Sequence, residues 1–257
     1  MRITRQIKLI KDFKDIGIKV NLIMYVLKKG YRQRLKNERG EYYSRKAKLI
    51  GYLCTDKSPQ GLFNEVVFDK VYYFKGFLPK EDDIVVDIGA YYGDSAIWYA
   101  KEFKAKVIAF EPVPEAYKEL LKNAKLNHVI NEILAYNVAL GRGKRLVGGK
   151  GNGTMFSLAN KEDIIQTKTL DSFRLNRVDL LKVDVEGFEY EVLNGAINTI
   201  KKFKPKIIIE THNKELKKKC NAFLIKLGYK LTFRSGTIIS KQAGFDQVVI
   251  SFYACSK

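Results

Sequence analysis

The chain is short of several things, and each shortage removes a class of protein. It has 3 cysteines in 257 residues, Cys54, Cys220 and Cys255, far apart and odd in number. With no C-x-x-C spacing, they argue against a disulfide framework or a zinc site and for a reducing cytosol. No long hydrophobic run is present either. The most apolar N-terminal stretch, residues 22–27, is far too short to span a bilayer. Met1 is not followed by an apolar segment and a small-residue cleavage site, so no cleavable signal is expected. No internal repeat or low-complexity segment stands out, which sets solenoids and arrays aside. Acidic residues are also scarce. Against 28 Asp and Glu stand 47 Lys and Arg, a net charge of +19.

That excess is uneven. Residues 1–60 hold 16 of the 47 basic residues and 5 of the 28 acids, a net of +11 out of +19. A basic surface attracts nucleic acid, anionic lipid or an acidic substrate, and it also serves plain solubility. Within this stretch Ile3, Ile7, Ile10, Phe13, Ile18, Leu22 and Val26 recur among Lys and Arg. The spacing fits one or two amphipathic helices over residues 3–29, broken near Gly17 and stopped at Gly30. We read 1–65 as a basic helical extension and 66–257 as the principal domain.

From residue 83 short apolar runs alternate with helix-like stretches. Strands are expected at 84–88, 107–110, 133–140, 180–185 and 206–210, with closing strands at 229–234, 237–240 and 247–253. Helices are expected at 94–103, 114–126 and 189–200, and another runs to about 227. Pro114 and Glu115 suit a helix start, and Gly228 suits a stop. Asn152-Gly153 is a hairpin-turn signal. This alternation means a mostly parallel α/β sheet with helices on both faces, closed by an antiparallel C-terminal edge.

Four segments carry polar chemistry at strand ends, where such sheets bind ligands. The first, VVDIGAYYG at 85–93, runs a buried strand through Asp87 into a glycine turn and a helix. Gly89 lets the backbone turn sharply and approach a ligand, and Gly93 lets helices pack closely. The second, VIAFEP at 107–112, ends in Glu111, whose carboxylate can accept from both hydroxyls of a ribose. This spacing alone leaves NAD and S-adenosylmethionine (SAM) open, but the glycines are not those of a diphosphate-binding turn. The third, DLLKVDVEGFE at 179–189, gathers Asp184, Glu186 and Glu189 at one strand exit. Such clustering of like charge is costly without a purpose; Glu189 also reads simply as a helix N-terminal acid. The fourth, IIIETH at 207–212, puts Glu210 and His212 at another strand end, where a histidine can serve as a base.

These segments, with NVALG at 137–141, KTLDSF at 168–173 and LLKVDVEGFEYEVLNGA at 180–196, resemble the FkbM family of SAM-dependent methyltransferases. Tyr91 departs from the asparagine common there. The resemblance implies a Rossmann-like seven-stranded methyltransferase sheet with an antiparallel last strand. It also implies a SAM site along Asp87, Gly89, Ala90, Tyr91 and Gly93, at Glu111 and Pro112, and near the adenine at Asn137 and Val138. The implied activity is methylation, mostly of hydroxyl groups on sugars, glycans and small molecules. An O-methyltransferase of this kind needs a base, and the candidates are Asp184, Glu186, Glu210 and His212, with Asp184 or His212 favoured. No metal is called for, since two neighbouring acids are not a metal signature.

Two other readings compete. A tRNA or rRNA methyltransferase would use the basic surface and the tyrosines at 31–48, although no N-P-P-Y-type motif and no strand-end cysteine is present. A membrane-surface protein with a degenerate cofactor fold would lay residues 3–29 on anionic lipid. The expected setting is cytoplasmic, with peripheral contact at the inner membrane surface as the variant of that reading. Acceptor selectivity is expected from 1–82 and 141–168; oligomeric state leaves no trace in the sequence.

Overall fold

The computed structural model describes residues 52–233, apart from 60–61, 64–65, 68–70, 144–145, 149–163 and 212, and the strands at 34–36, 42–44, 238–240 and 248–256. The helices expected over residues 3–29, the Asn152-Gly153 turn and His212 lie outside the described residues. Two short strands, β1 (Arg34–Lys36) and β2 (Tyr42–Ser44), pair antiparallel.

The central sheet begins with β3 (Ile84–Ile88), β4 (Lys106–Phe110) and β5 (Ile133–Tyr136), joined by α1 (Asp94–Phe103) and α2 (Pro114–Leu126). It continues with β9 (Leu180–Val183), α3 (Glu189–Gly195), α4 (Ile197–Phe203), β10 (Lys206–Thr211), α5 (Lys214–Lys226) and β11 (Lys230–Phe233). β12 (Ile238–Ser240) and β13 (Val248–Ser256) close it. The order is β11-β13-β10-β9-β3-β4-β5, with β12 paired to the free end of β13. A separate small sheet holds β6 (Ala139–Leu140), β7 (Leu146–Gly148) and β8 (Ile164–Lys168).

The pattern is a mostly parallel methyltransferase-like α/β sheet, with five strands, β10 to β5, pairing in parallel. β12 brings the sheet to eight strands rather than the expected seven. The antiparallel strand also does not form the edge. α5 carries the chain across so that β11 points with the parallel set, and β13 then inserts antiparallel between β11 and β10. Its nine residues suffice to pair with β10, β11 and β12.

Two expected elements are divided. The strand foreseen at 133–140 stops at Tyr136, and Ala139–Leu140 pair instead with β8. Asn137 turns the chain there, donating its amide to the Glu111 and Pro112 carbonyls at 2.8 and 3.0 Å. The helix foreseen at 189–200 breaks at Ala196, because Asp171 caps a new helix start. Its carboxylate accepts from Asn198 N–H at 3.0 Å, Thr199 N–H at 2.8 Å and the Thr199 hydroxyl at 2.7 Å. Gly195 sits so close to the small sheet that a Cβ would collide with the Gly141 carbonyl.

Strand side chains alternate between two apolar layers. Val86, Ile88, Leu181, Val183, Ile207 and Ile209 pack with α3, α4 and α5. Val85, Val107, Ala109, Leu180 and Ile208 pack with α1, α2 and residues 52–77. That second layer takes in Tyr52, Cys54, Leu62, Phe63 and Tyr72, so the core reaches N-terminal of residue 65. The segment at 52–58 is pinned to α2 by buried asparagines. Asn127 accepts from Leu53 N–H at 3.0 Å and donates to Leu53 C=O at 2.7 Å, as a neighbouring peptide would. Asn123 accepts from Thr55 N–H at 2.8 Å and donates to the Ser58 hydroxyl at 2.9 Å.

Candidate active site

β3, β4 and β5 succeed one another toward one side of the sheet, and β9 and β10 lie on the other. The direction of winding therefore reverses between β3 and β9, and the carboxyl ends flanking that crevice are where such sheets bind ligands. Asp87 and Lys182 are partners across β3 and β9, and Lys182 and Ile208 across β9 and β10. Two residues along each of the last two strands, on the same face, come Asp184 and Glu210. The period of two thus stacks Asp87, Lys182, Asp184 and Glu210 in one place.

The turn after Asp87 is built by backbone conformation. Gly89, Tyr91 and Gly93 have φ of +79°, +48° and +92°. Gly89 also serves packing: a Cβ there would collide with the Asp184 carbonyl. It lets the β3 turn nest against the end of β9. A Cβ on Gly93 would meet Leu120 Cγ at 3.1 Å, so this glycine lets α1 start against α2. Tyr91, non-glycine at positive φ, uses its N–H to donate to Glu111 Oε2 at 2.7 Å. Ala90 is buried at the centre of the turn.

Glu111 is 5% exposed, and its other oxygen accepts from Val113 N–H at 2.8 Å. Each carboxylate oxygen keeps a lone pair for a further donor. Burial raises this carboxyl to about 7, against the pull of the two N–H groups and Lys182. Pro112 and Val138 lie half-buried beside it, and Asn137 is exposed but braced by its two carbonyls.

Asp87 is fully buried. Its Oδ2 accepts from the Ser95 hydroxyl at 2.6 Å, and its Oδ1 pairs with Lys182 Nζ at 3.0 Å. Lys182 donates also to the Gly89 carbonyl at 2.8 Å, lies 3.9 Å from Asp184 Oδ2 and sits 5.0 Å from the centre of the Tyr72 ring. Burial opposes its charge, but Asp87, Asp184 and Asp94 outweigh burial and hold the ammonium above the usual lysine range. Asp184 accepts from the Tyr72 hydroxyl at 2.5 Å. Burial, then Asp184, Glu210 and Asp94, push that hydroxyl well above its ordinary value, so it remains a donor. Burial also pushes Glu210 well above the carboxylate range; Asp184, to which it hydrogen-bonds, and Glu186 add to this, and Lys182 offsets it in part. Burial thus favours the protonated form of Glu210 in this pair.

The structure therefore brings Asp87, Glu111, Asp184 and Glu210 together. Glu186 lies on the exposed rim at φ +52°. Glu189 is a brace: its buried carboxylate accepts from Gly187 N–H at 3.0 Å and Val185 N–H at 3.4 Å, holding the loop at the head of α3. Sequence reasoning overlooked Lys182 and Tyr72. Lys182 had a signal, a lone cation inside the otherwise apolar LLKV strand, which cannot be buried unpaired. Tyr72 had none, because its partner lies 112 residues away. Among the described residues no cluster of His, Cys, Asp and Glu is arranged to hold a metal ion. Nor is any described helix long and apolar enough to cross a membrane.

The Methyltransferase FkbM domain model matches residues 87–231, from Asp87 at the turn to the last residue but two of β11. The chain belongs to the FkbM methyltransferase family. Methyltransferase sdnD of Sordaria araneosa is 25% identical over 228 residues, covering 72% of this chain and 87% of that protein. Hexuronic acid methyltransferase AglP of Haloferax volcanii is 27% identical over 146 residues, covering 52% of this chain and 57% of that protein. The crystal structure of an FkbM methyltransferase from Methylobacillus flagellatus shares the fold at a TM-score of 0.52 and 20% identity over 76% of this chain. The present FkbM chain spans about half of that structure, 53% of its length.

Proposed function

We propose that the protein is a SAM-dependent O-methyltransferase acting on a hydroxyl of a sugar, glycan or small molecule. The observation that carries the cofactor half is the paired carboxylates at adjacent strand ends, Asp87 and Glu111, joined by the positive-φ turn. They fit the group. Glu111 is fixed by two backbone N–H groups yet keeps acceptor capacity for two ribose hydroxyls. Asp87, fully buried and paired with Lys182, anchors the turn that would meet the methionyl end. Asn137 and Val138 would border the adenine. SAM, when bound, supplies an electrophilic methyl group; the protein supplies position and dryness.

On the acceptor side Asp184 is the proposed base. Its side chain is 18% exposed, so a hydroxyl can reach it, whereas Asp87 beside it is closed off. Tyr72 fixes its orientation, and the burial that favours a proton on Glu210 leaves Asp184 the more accessible carboxylate of the pair. A positioned base typically contributes ~10²–10⁴-fold to such a reaction. His212 stays a candidate from the sequence, and Glu186 is a rim residue.

The site also favours a hydroxyl on an uncharged portion of the acceptor over a nucleic acid. Among the described residues Asp87, Asp94, Asp184, Glu111 and Glu210 all interact with the Lys182 ammonium, so acids outnumber cations at these strand ends and disfavour a phosphate. Methyl-labelled SAM incubated with the protein and with polysaccharide, lipid, RNA and small-molecule fractions tests the reading. Label is expected in the polysaccharide or small-molecule fraction, and Asp184→Asn should reduce it by ~10²-fold or more. Label in RNA alone would overturn the proposal.

A further inference from the structure

Lys182 is the side chain that touches both halves of the crevice. A lysine only 2% exposed loses its hydration and must recover it from partners. An ammonium has three donors. One meets the carboxylate of Asp87 at 3.0 Å, and another meets the carbonyl of Gly89 at 2.8 Å. Asp184 Oδ2, at 3.9 Å, is an electrostatic neighbour rather than a hydrogen-bond partner, and the Tyr72 ring lies with its centre 5.0 Å from the ammonium. Asp87 is gripped again through Ser95 at the head of α1, and Gly89 through its N–H, which donates to the Phe110 carbonyl at 3.0 Å. The turn is held from other elements as well: Asn123 of α2 donates to the Tyr92 carbonyl at 2.9 Å, and Asp184 N–H donates to the Ile88 carbonyl at 3.0 Å. Lys182 adds a charged side-chain link from the turn to β9, at whose end stands the acceptor-side carboxylate.

The geometry has a consequence in charge. Asp87 and Asp184 belong to neighbouring strand ends and would repel one another across a dry gap. The ammonium lies against both. It pairs with the first at 3.0 Å, lies 3.9 Å from the second, and fixes the peptide of Gly89, which presses against the Asp184 carbonyl. We propose that Lys182 is a positioning residue, setting the Asp87 carboxylate and the Gly89 turn for the cofactor's methionyl end and tying that turn to Asp184. The proposal rests on the reading of this turn as a SAM site. A merely structural ion pair would behave otherwise: replacing both partners by neutral groups of similar volume is often harmless, and the two residues would not be coupled through a ligand.

The test is titration calorimetry of the full chain with SAM, together with thermal melting, for wild type, Lys182→Met, Lys182→Gln, Asp87→Asn and the Asp87→Asn/Lys182→Met pair. If the wild-type chain binds no SAM, the cofactor reading itself fails, whatever the variants do. If it binds, Lys182→Met and Lys182→Gln are expected to fold and to weaken SAM by about tenfold or more. The double variant should bind within about twofold of Asp87→Asn, because the lysine acts through that carboxylate. Either single lysine variant binding within about threefold of wild type overturns the proposal, as does a double variant in which the two losses multiply. Failure of both lysine variants to fold would assign the ammonium to folding alone and also overturn it.

Discussion

Glu111 shows how burial sets the titration of a side chain proposed to meet a ligand. Its ordinary carboxyl value of 4.5 becomes about 7 in the folded chain, with burial as the chief cause. The folded state therefore holds a proton there more tightly than the unfolded state. Its contribution to stability is full below about 4.5 and is lost as pH rises through about 7. On the proposed reading ribose binding runs the opposite way, since only the ionised carboxylate offers both oxygens as acceptors. Adenosine, which lacks the titrating amino group of SAM, is expected to bind up to about tenfold more tightly as pH rises from about 6 to about 8. Glu111→Gln should bind more weakly and show a flat profile in calorimetry; a variant with the wild-type slope would remove Glu111 from the cofactor site. At this scale the strand-end acids were legible, because a carboxylate closing an apolar run has few reasons to be there. Gly89 was legible as a turn but not as a packing glycine. Its neighbour, the Asp184 carbonyl, comes from a strand 95 residues further along, and local sequence carries no record of it.

Elements were readable where a local signal ended them. α1 and α2 begin and end where glycine, proline and apolar spacing put them. The strand at 133–140 and the helix at 189–200 read as continuous because their breaks are made by side chains from elsewhere. Asn137 binds carbonyls at 111 and 112, and Asp171 reaches across to 198 and 199. The segment at 52–58 was harder still. It has no regular element, and its order comes from two asparagines spaced one turn apart on α2. Asn127 is 3% exposed and serves both the N–H and the C=O of Leu53. Truncating it leaves both backbone groups without their partner. Asn127→Ala is expected to cost about 2–3 kcal/mol in urea unfolding. SAM affinity of the folded variant should stay within about twofold, since the Glu111 end of α2 is untouched. A loss below ~0.5 kcal/mol would mean that the segment is held by its apolar contacts alone.

The whole molecule sets two opposite charges against each other. Its net charge is +19, yet the carboxyl ends of β3, β4, β9 and β10 carry acids around one lysine. Composition announced the first and hid the second, because the acids of the pocket are scattered from Asp87 to Glu210 along the chain. The two can be separated, since residues 1–60 carry +11 of the charge while the site is assembled from 72 onward. A basic segment binds polyanions by releasing their counterions, with an affinity that falls steeply with salt. If the acidic pocket governs the substrate, such binding belongs to the extension and leaves the chemistry alone. Removing residues 1–51, just short of the Tyr52 and Leu53 contacts, should therefore abolish most of the salt-dependent binding of a random RNA. The same change should leave SAM affinity within about twofold and keep the labelled acceptor fraction the same. Filter binding across a salt series, run beside calorimetry, makes both measurements on one preparation. If RNA affinity and its salt slope survive the truncation while SAM competes with RNA, polyanion binding resides at the strand ends after all, and the glycan or small-molecule assignment gives way to the nucleic-acid one.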